Sequence, residues 1–323
     1  MAIEPYPYDR REISEFFRRH SRITIGYVKV ERALEDFGHY VCELVIQADP
    51  ERLFLQGIQF SGNRFRYPPH LDGIPSGVRN SVEKEILSHL IRNRVVESSL
   101  ADPQLAYTGE RIVPATAPFH AYWMHARRYE FAARRCKGKR VLDAGCGCGY
   151  GTRILAQEAA SCHGVDLSPQ AIELADSLFR RPGLEFSAGD ICRLGHLADR
   201  SFDVAVALEV LEHLAKAAIP NFLETTRRLL RERATFIVSV ANVGFSSREV
   251  NPYHLSEMSF DDFRDLLEAW FEPPSIQYFG QDVWEGSYRL DRECRIAPIQ
   301  GATDQHVYLA VAETHGLEGT GPL

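Results

Sequence analysis

Several familiar features are missing from this 323-residue chain, and each absence narrows what it can be. No apolar run approaches the ~20 residues that a membrane-spanning helix needs, so no membrane partner is expected. The first residues, MAIEPYPYDRRE, are polar and acidic and lack an apolar core segment, so no secretory leader is read. Cysteine is sparse and odd in number: seven, at 42, 136, 146, 148, 162, 192 and 294, with no framework spacing. Reduced thiols in a cytoplasmic protein fit that pattern. There is no internal repeat, low-complexity tract or long charge run. With 37 Lys and Arg against 44 Asp and Glu, the net charge of -7 repels phosphate, which disfavours a nucleic-acid partner without a local basic patch.

What is present is the composition of a soluble globular protein, 45% hydrophobic and 25% charged, long enough for two domains. Residues 1–100 read as a small α+β domain. Ile23, Ile25, Val28 and Val30 suggest one strand, and Tyr40, Cys42, Leu44 and Ile46 alternate as a half-buried strand does. Leu53, Leu55, Ile58 and Phe60 continue the pattern. The Ser61-Gly62-Asn63 turn then leads to Phe65 and Tyr67, as in a hairpin. Ser76 can cap a helix whose apolar positions, Val82, Ile86, Leu90 and Ile91, carry it to about Glu97. This unit holds 14 Lys and Arg against 14 Asp and Glu, a neutral balance that points to homodimerisation or substrate capping rather than phosphate binding. Arg64 and Arg66 form its compact basic spot, which can equally be a charge-protected sheet edge. Residues 27–90 resemble the stage V sporulation protein G family in their order of strands, hairpin and helix.

Residues 101–323 form the second expected domain, with 101–122 as a linker or lid carrying Tyr107, Arg111, His120 and Tyr122. From about Phe119 short β-branched runs alternate with helical patterns: 140–144, 163–167, 184–187, 202–210 and 235–240, then a last strand at 306–313. Such alternation implies an α/β fold with parallel strands and right-handed crossovers.

A glycine-rich loop, VLDAGCGCGYG over 141–151, follows the first of these strands and opens a helix. The dinucleotide fingerprint Gly-x-Gly-x-x-Gly/Ala fails in both registers, because its last position falls on Tyr150 or on Thr152. Instead Asp143 stands two residues before Gly145, followed by Gly147 and Gly149. A carboxylate there suits a ligand with a cationic amine and sulfonium better than a pyrophosphate. Asp166 ends the next strand, where an acid binds ribose hydroxyls, although it can also cap the helix after it. Asp190 follows the third strand, where a carboxylate can accept from an adenine amino group.

These stretches, with GVDLSPQAIELA, FSAGDI, FDVAVALEVLEHL and TFIVSVAN, resemble the class I S-adenosylmethionine methyltransferases over about 105–313. The resemblance implies a seven-stranded Rossmann-like sheet, methyl transfer, and S-adenosylmethionine held by Asp143, Gly145, Gly147, Asp166 and Asp190, with Leu167, Ile191 and Leu208 beside them. Where that class usually has Lys/Arg-Pro-Gly-Gly before its fifth strand, this chain has Arg231-Glu-Arg233-Ala234. Tyr107–Pro114 and Asn251–Glu257 are similar to a bacterial subgroup, some of whose members act in glycan or natural-product pathways.

Methyl transfer mainly requires placement and exclusion of water. Candidate catalytic groups lie at strand ends: Glu209, Glu212 and His213 after the fourth, His254 after the fifth. His213 can pin the next helix, act as a general base, as its Glu-His pair suggests by resemblance to ubiquinone-biosynthesis O-methyltransferases, or join Glu209, Glu212 and His254 as metal ligands. That last set resembles small-RNA 3′-end 2′-O-methyltransferases. Acceptor positioning by Glu209, His213 and His254 without a metal is the reading favoured here, with a small molecule or glycan methylated on oxygen or nitrogen. Metal-assisted RNA ribose methylation and a cofactor-binding protein without turnover are the alternatives. Phe260, Phe263, Leu266, Leu267 and Trp270, after Ser259, read as the core face of a helix.

Overall fold

The computed structural model describes residues 10–20, 22–32, 39–48, 51–61, 64–68, 71, 73–83, 85–86, 111–113, 117, 119–242, 253–272, 275–282, 294–303, 305 and 307–314. Two compact units divide the chain: Met1–Pro103 with Trp284–Glu293, and Gln104–Val283 with Cys294–Leu323.

The first unit is built on four antiparallel strands in sequential order, β1 (Thr24–Arg32), β2 (His39–Ala48), β3 (Glu51–Ser61) and β4 (Arg64–Arg66). The alternation in 40–46 is that of β2, and Ser61 pairs with Arg64 as the hairpin reading requires. Leu44, Ile46, Leu53, Leu55 and Ile58 pack with Ile86 and with Val82 from α2 (76–83), which begins at 76 itself. A preceding helix, α1 (Arg10–Arg19), adds Ile13, Phe16 and Phe17 to this core. Their 3–4 spacing is a helical signal that the strand-rich sequence around them obscured. The continuation to Glu97 lies outside the described residues, as do Gly62 and Asn63.

The second unit holds eight strands in the order β11-β10-β12-β9-β8-β5-β6-β7. Five are parallel: β5 (Arg140–Ala144), β6 (Ser161–Asp166), β7 (Leu184–Ala188), β8 (Phe202–Ala207) and β9 (Leu230–Ala241). The strand expected at 306–313 is β12 (Val307–Glu313), and it runs antiparallel between β9 and β10 (Ile276–Gln281). The expected seven-stranded Rossmann-like sheet is present. One short strand is added to it, β11 (Ile296–Pro298), which pairs with the β10 edge from Phe279 to Gln281. Three residues are too few to show alternation, so β11 left no periodic signal.

Helices α3 (Phe119–Ala133), α4 (Tyr150–Leu155), α5 (Pro169–Phe179), α6 (Ile219–Leu229) and α7 (Phe260–Glu268) pack with the strands in two apolar clusters. α7 behaves as its spacing implies: Phe260, Phe263 and Leu267 are buried, and Ser259 with Asp262 forms a capping box. Arg231–Ala234, expected just before the fifth strand, lies inside β9, which follows α6 directly, and side chains hold it. Thr314 Oγ1 accepts from Ala234 N at 2.8 Å, and Arg231 Nη1 pairs with Asp203 at 2.6 Å. From β5 the order runs outward to β7, then returns to β8 on the other side of β5. That reversal leaves a crevice above the strand ends, the usual ligand site of open α/β sheets.

Candidate active site

A cavity of about 340 Å³ opens there. Four chain segments that leave β5 to β8 line it: 145–147, 166–167, 189–191, and 208–210 with 213–214, together with Arg111, Ile112, His125, Tyr129 and Tyr150. Of the residues expected from sequence, Gly145, Gly147, Asp166, Leu167, Asp190, Ile191, Leu208, Glu209 and His213 all line this one space.

The loop after β5 is fixed by its neighbours. Gly145 N and Cys146 N donate to Val165 O at 2.8 and 3.0 Å, and Gly147 N donates to Asp166 Oδ2 at 2.9 Å. Gly147 has φ +52°, and a Cβ there would meet nothing within 4 Å, so it would project into open space. The absence of a side chain keeps that space for a ligand. Asp166 also accepts from Ser168 N at 2.9 Å, while Ser168, not Asp166, caps α5 through Ala171 N. Leu167 is 75% exposed although apolar, which leaves it a flat hydrophobic wall. Asp190 Oδ1 accepts from Cys192 N at 2.9 Å and stays half-exposed.

Asp143, expected at the cofactor, is buried and does not line the cavity. Thr152 Oγ1 donates to its Oδ2 at 2.6 Å and Tyr129 Oη to its Oδ1 at 3.3 Å. Complete burial pushes its carboxyl up to about 7, and those two hydrogen bonds oppose the rise. It therefore ties β5 to α3 and α4.

The β8 side is built differently. Glu209 sits at φ +56°, rare outside glycine. Its N–H donates to Ser239 Oγ at 2.9 Å, and Ser239 Oγ donates back to Glu209 Oε1 at 3.1 Å. Arg128 Nη2, buried on α3, stands 3.7 Å from Glu209 Oε2. Glu212 is buried and accepts from Ala241 N at 3.1 Å. Burial, then the Glu209 charge, push its carboxyl well above the usual range. Its carbonyl accepts from Leu255 N and Ser256 N, which fixes the segment carrying His254. The His213 ring pairs Nδ1 with Tyr253 O at 3.1 Å and lies 5.2 Å from the His254 ring, edge to face. His254 is also 3.5 Å from Glu257 and does not line the cavity. Among the described residues no three His, Cys, Asp or Glu side chains are grouped as metal ligands would be.

Of the lid candidates, Arg111 lines the cavity, and the Tyr122 ring packs at a tilt against Tyr150, with centroids 5.5 Å apart. Tyr107 and the His120 side chain lie outside the described residues. Sequence reasoning missed His125, Arg128 and Tyr129. They share one face of α3, at i, i+3 and i+4, among aromatic and apolar residues that read as core.

Comparison with known proteins agrees with this geometry. A family model described as a methyltransferase domain matches residues 142–238. A "Probable S-adenosylmethionine-dependent methyltransferase" of Mycolicibacterium smegmatis is 37% identical over 175 residues, covering 52% of this chain and 66% of the relative. A relative of the same description in Mycobacterium tuberculosis is 35% identical over 177 residues, 53% of this chain and 62% of its own. A ubiquinone biosynthesis O-methyltransferase of Azorhizobium caulinodans is 36% identical over 111 residues, 34% of this chain and 43% of its own. The chain thus spans just under two thirds of the first of these curated relatives and less of the others. None of the matches supports the likeness of residues 27–90 to the sporulation family. Among the described residues no helix is long and apolar enough to cross a membrane. On its fold, its cavity and these matches, the chain carries a class I S-adenosylmethionine-dependent methyltransferase domain.

Proposed function

We propose that this protein transfers the methyl group of S-adenosylmethionine to an oxygen or nitrogen of a small-molecule or glycan acceptor. The observation that carries the reading is the single cavity joining the glycine loop, Asp166, Leu167 and Asp190 to Glu209 and His213. The residues present fit the cofactor. Gly147 leaves room at the loop, Asp166 and Asp190 offer carboxylates for ribose and adenine donors, and Leu167, Ile191 and Leu208 supply apolar walls. When bound, the cofactor supplies a methyl group already activated by its sulfonium.

The chain's own task is then to hold the acceptor in line and keep water out. Glu209 and His213, at the end of β8, face the space where an acceptor would enter, and His254 backs His213. His213 can receive a proton from the acceptor or orient it. Glu212, buried and accepting from the Ala241 N–H, does not line the cavity, and neither does His254, an arrangement that does not favour metal-assisted RNA methylation. For the N-terminal unit we propose self-association or capping of the substrate, and sedimentation of the full chain checks the former.

Calorimetry with S-adenosylhomocysteine tests the core of this reading. Binding is expected, and NAD should not compete. A folded protein that takes NAD and not S-adenosylhomocysteine would overturn it.

A further inference from the structure

We propose that Arg128 is a positioning residue that holds Glu209 at the cavity wall to accept a hydrogen bond from a proton-bearing, non-anionic nucleophile, a hydroxyl or an amine. The proposal rests on the methyl-transfer reading above and adds the class of group that is methylated.

The clamp begins away from the cavity. Gln281, fully buried on β10, donates through Nε2 to Met124 O at 2.9 Å and to Cys294 O at 3.4 Å. Those bonds fix which end of the amide points to Arg128, whose Nη1 donates to Gln281 Oε1 at 2.6 Å. Arg128 is 1% exposed, and its Nε has no hydrogen-bond partner among the described residues. A buried guanidinium is costly unless its charge is met. Here it is met by Glu209 at 3.7 Å, close enough for Coulomb attraction but too far for a hydrogen bond. Arg128 therefore pulls on the Glu209 carboxylate without occupying it.

Ser239 completes the arrangement by donating to Oε1 and accepting from the Glu209 N–H. The positive φ of Glu209 persists under these two restraints, and strain of this kind gathers at functional sites. Oε2 is left without a hydrogen-bond donor among the described residues, on a residue that lines the cavity. A carboxylate only accepts, so the missing donor must come from whatever enters. Hydroxyls and amines carry one. A carboxylate or phosphate does not, and would face the Glu209 charge. Tyr253, 52% exposed, holds the cavity-lining His213 through its carbonyl, so aromatic probes are chosen.

The experiment compares benzyl alcohol, benzylamine and benzoate by ligand-observed NMR on the full chain saturated with S-adenosylhomocysteine. The alcohol and the amine should each bind at least about tenfold more tightly than benzoate. Glu209→Gln should reduce that preference to under about threefold, and Arg128→Met should do the same while leaving S-adenosylhomocysteine affinity within about threefold. Arg128→Lys, which keeps the charge, should retain part of the preference, an outcome that a purely structural role does not produce. If Arg128→Met does not fold, Ser239→Ala tests the opposite restraint with the same readout. Benzoate binding as tightly as benzylamine overturns the proposal, as does a folded Arg128→Met with its preference intact. Failure of the wild-type chain to bind S-adenosylhomocysteine would instead strike the methyl-transfer reading on which the proposal stands.

Discussion

The two sides of the cavity are made of different materials. On the β5–β7 side the ligand surface is largely backbone: a glycine loop whose N–H groups are tied to Val165 O and Asp166, with Leu167 exposed beside them. On the β8–β9 side it is side chains. They are a strained Glu209 between Ser239 and Arg128, a buried Glu212, and two histidines ring to ring. A backbone cradle recognises a fixed ligand through local geometry, so its requirements sit close together in sequence. A side-chain wall is assembled from α3, β8, β9 and the segment after β9, and it can be retuned for a different acceptor without touching the cradle.

If that division is real, changes on one side should leave the other nearly intact. The largest effect is expected from Asp166→Ala. It removes a hydrogen bond from the loop's Gly147 N–H and one from Ser168 N, each worth ~1.5–3 kcal/mol when the acceptor is charged, and the carboxylate proposed for the ribose, so S-adenosylhomocysteine affinity should fall by about a hundredfold or more. Calorimetry reads this directly, and a loss below about tenfold would mean that the cradle does not depend on that carboxylate.

Gly149→Ala should come next. Its φ is +78°, and the new Cβ would lie 2.7 Å from Ala175 Cβ and 2.8 Å from the Phe186 ring. Left-handed strain of ~1–2 kcal/mol and overpacking of ~1–3 kcal/mol add to a clear drop in melting temperature. An unchanged melting temperature would show that the loop can relax.

On the other side, His213→Ala combined with His254→Ala should lower methyl transfer by ~10–100-fold while S-adenosylhomocysteine affinity stays within about threefold. A loss of affinity equal to the loss of rate would merge the two sides into one.

The smallest effect is a slope. Asp143 has a folded pKa of about 7, above its ordinary 3.8, so between those values the native state binds a proton that the unfolded chain does not. Stability should therefore fall as pH rises through that window and level off above it. Asp143→Asn cannot ionise, so its melting temperature should lose that part of the slope between pH 5 and pH 8. A slope identical to wild type would place the pH dependence in Glu212, whose carboxyl burial also raises.

Much of this was legible before any coordinates. β5, β6, β7, β8 and β12 stand close to where β-branched runs placed them, and the loop at 145–147 follows β5 as its glycines require. Asp166 and Asp190 reach the cavity because each ends or follows a parallel strand, where ligands of this fold bind. Less visible were α1, the three-residue β11, and the antiparallel placement of β12. Strand direction depends on neighbours chosen across the whole sheet, not on local alternation.

The cradle is written in the local order of residues: which of them turn without a side chain, which acids follow which strands, and hence the cofactor class. Whatever depends on long-range contact came only with folding. It buried Asp143 away from the cavity, because Tyr129 and Thr152 bond it in the core. It also set Arg128 behind Glu209, 81 positions on, through Gln281, which is 153 positions from Arg128. Such a clamp has no period and no spacing. It exists only because burial forces each polar group to find a partner, and the partner is chosen by the packing of the sheet against α3.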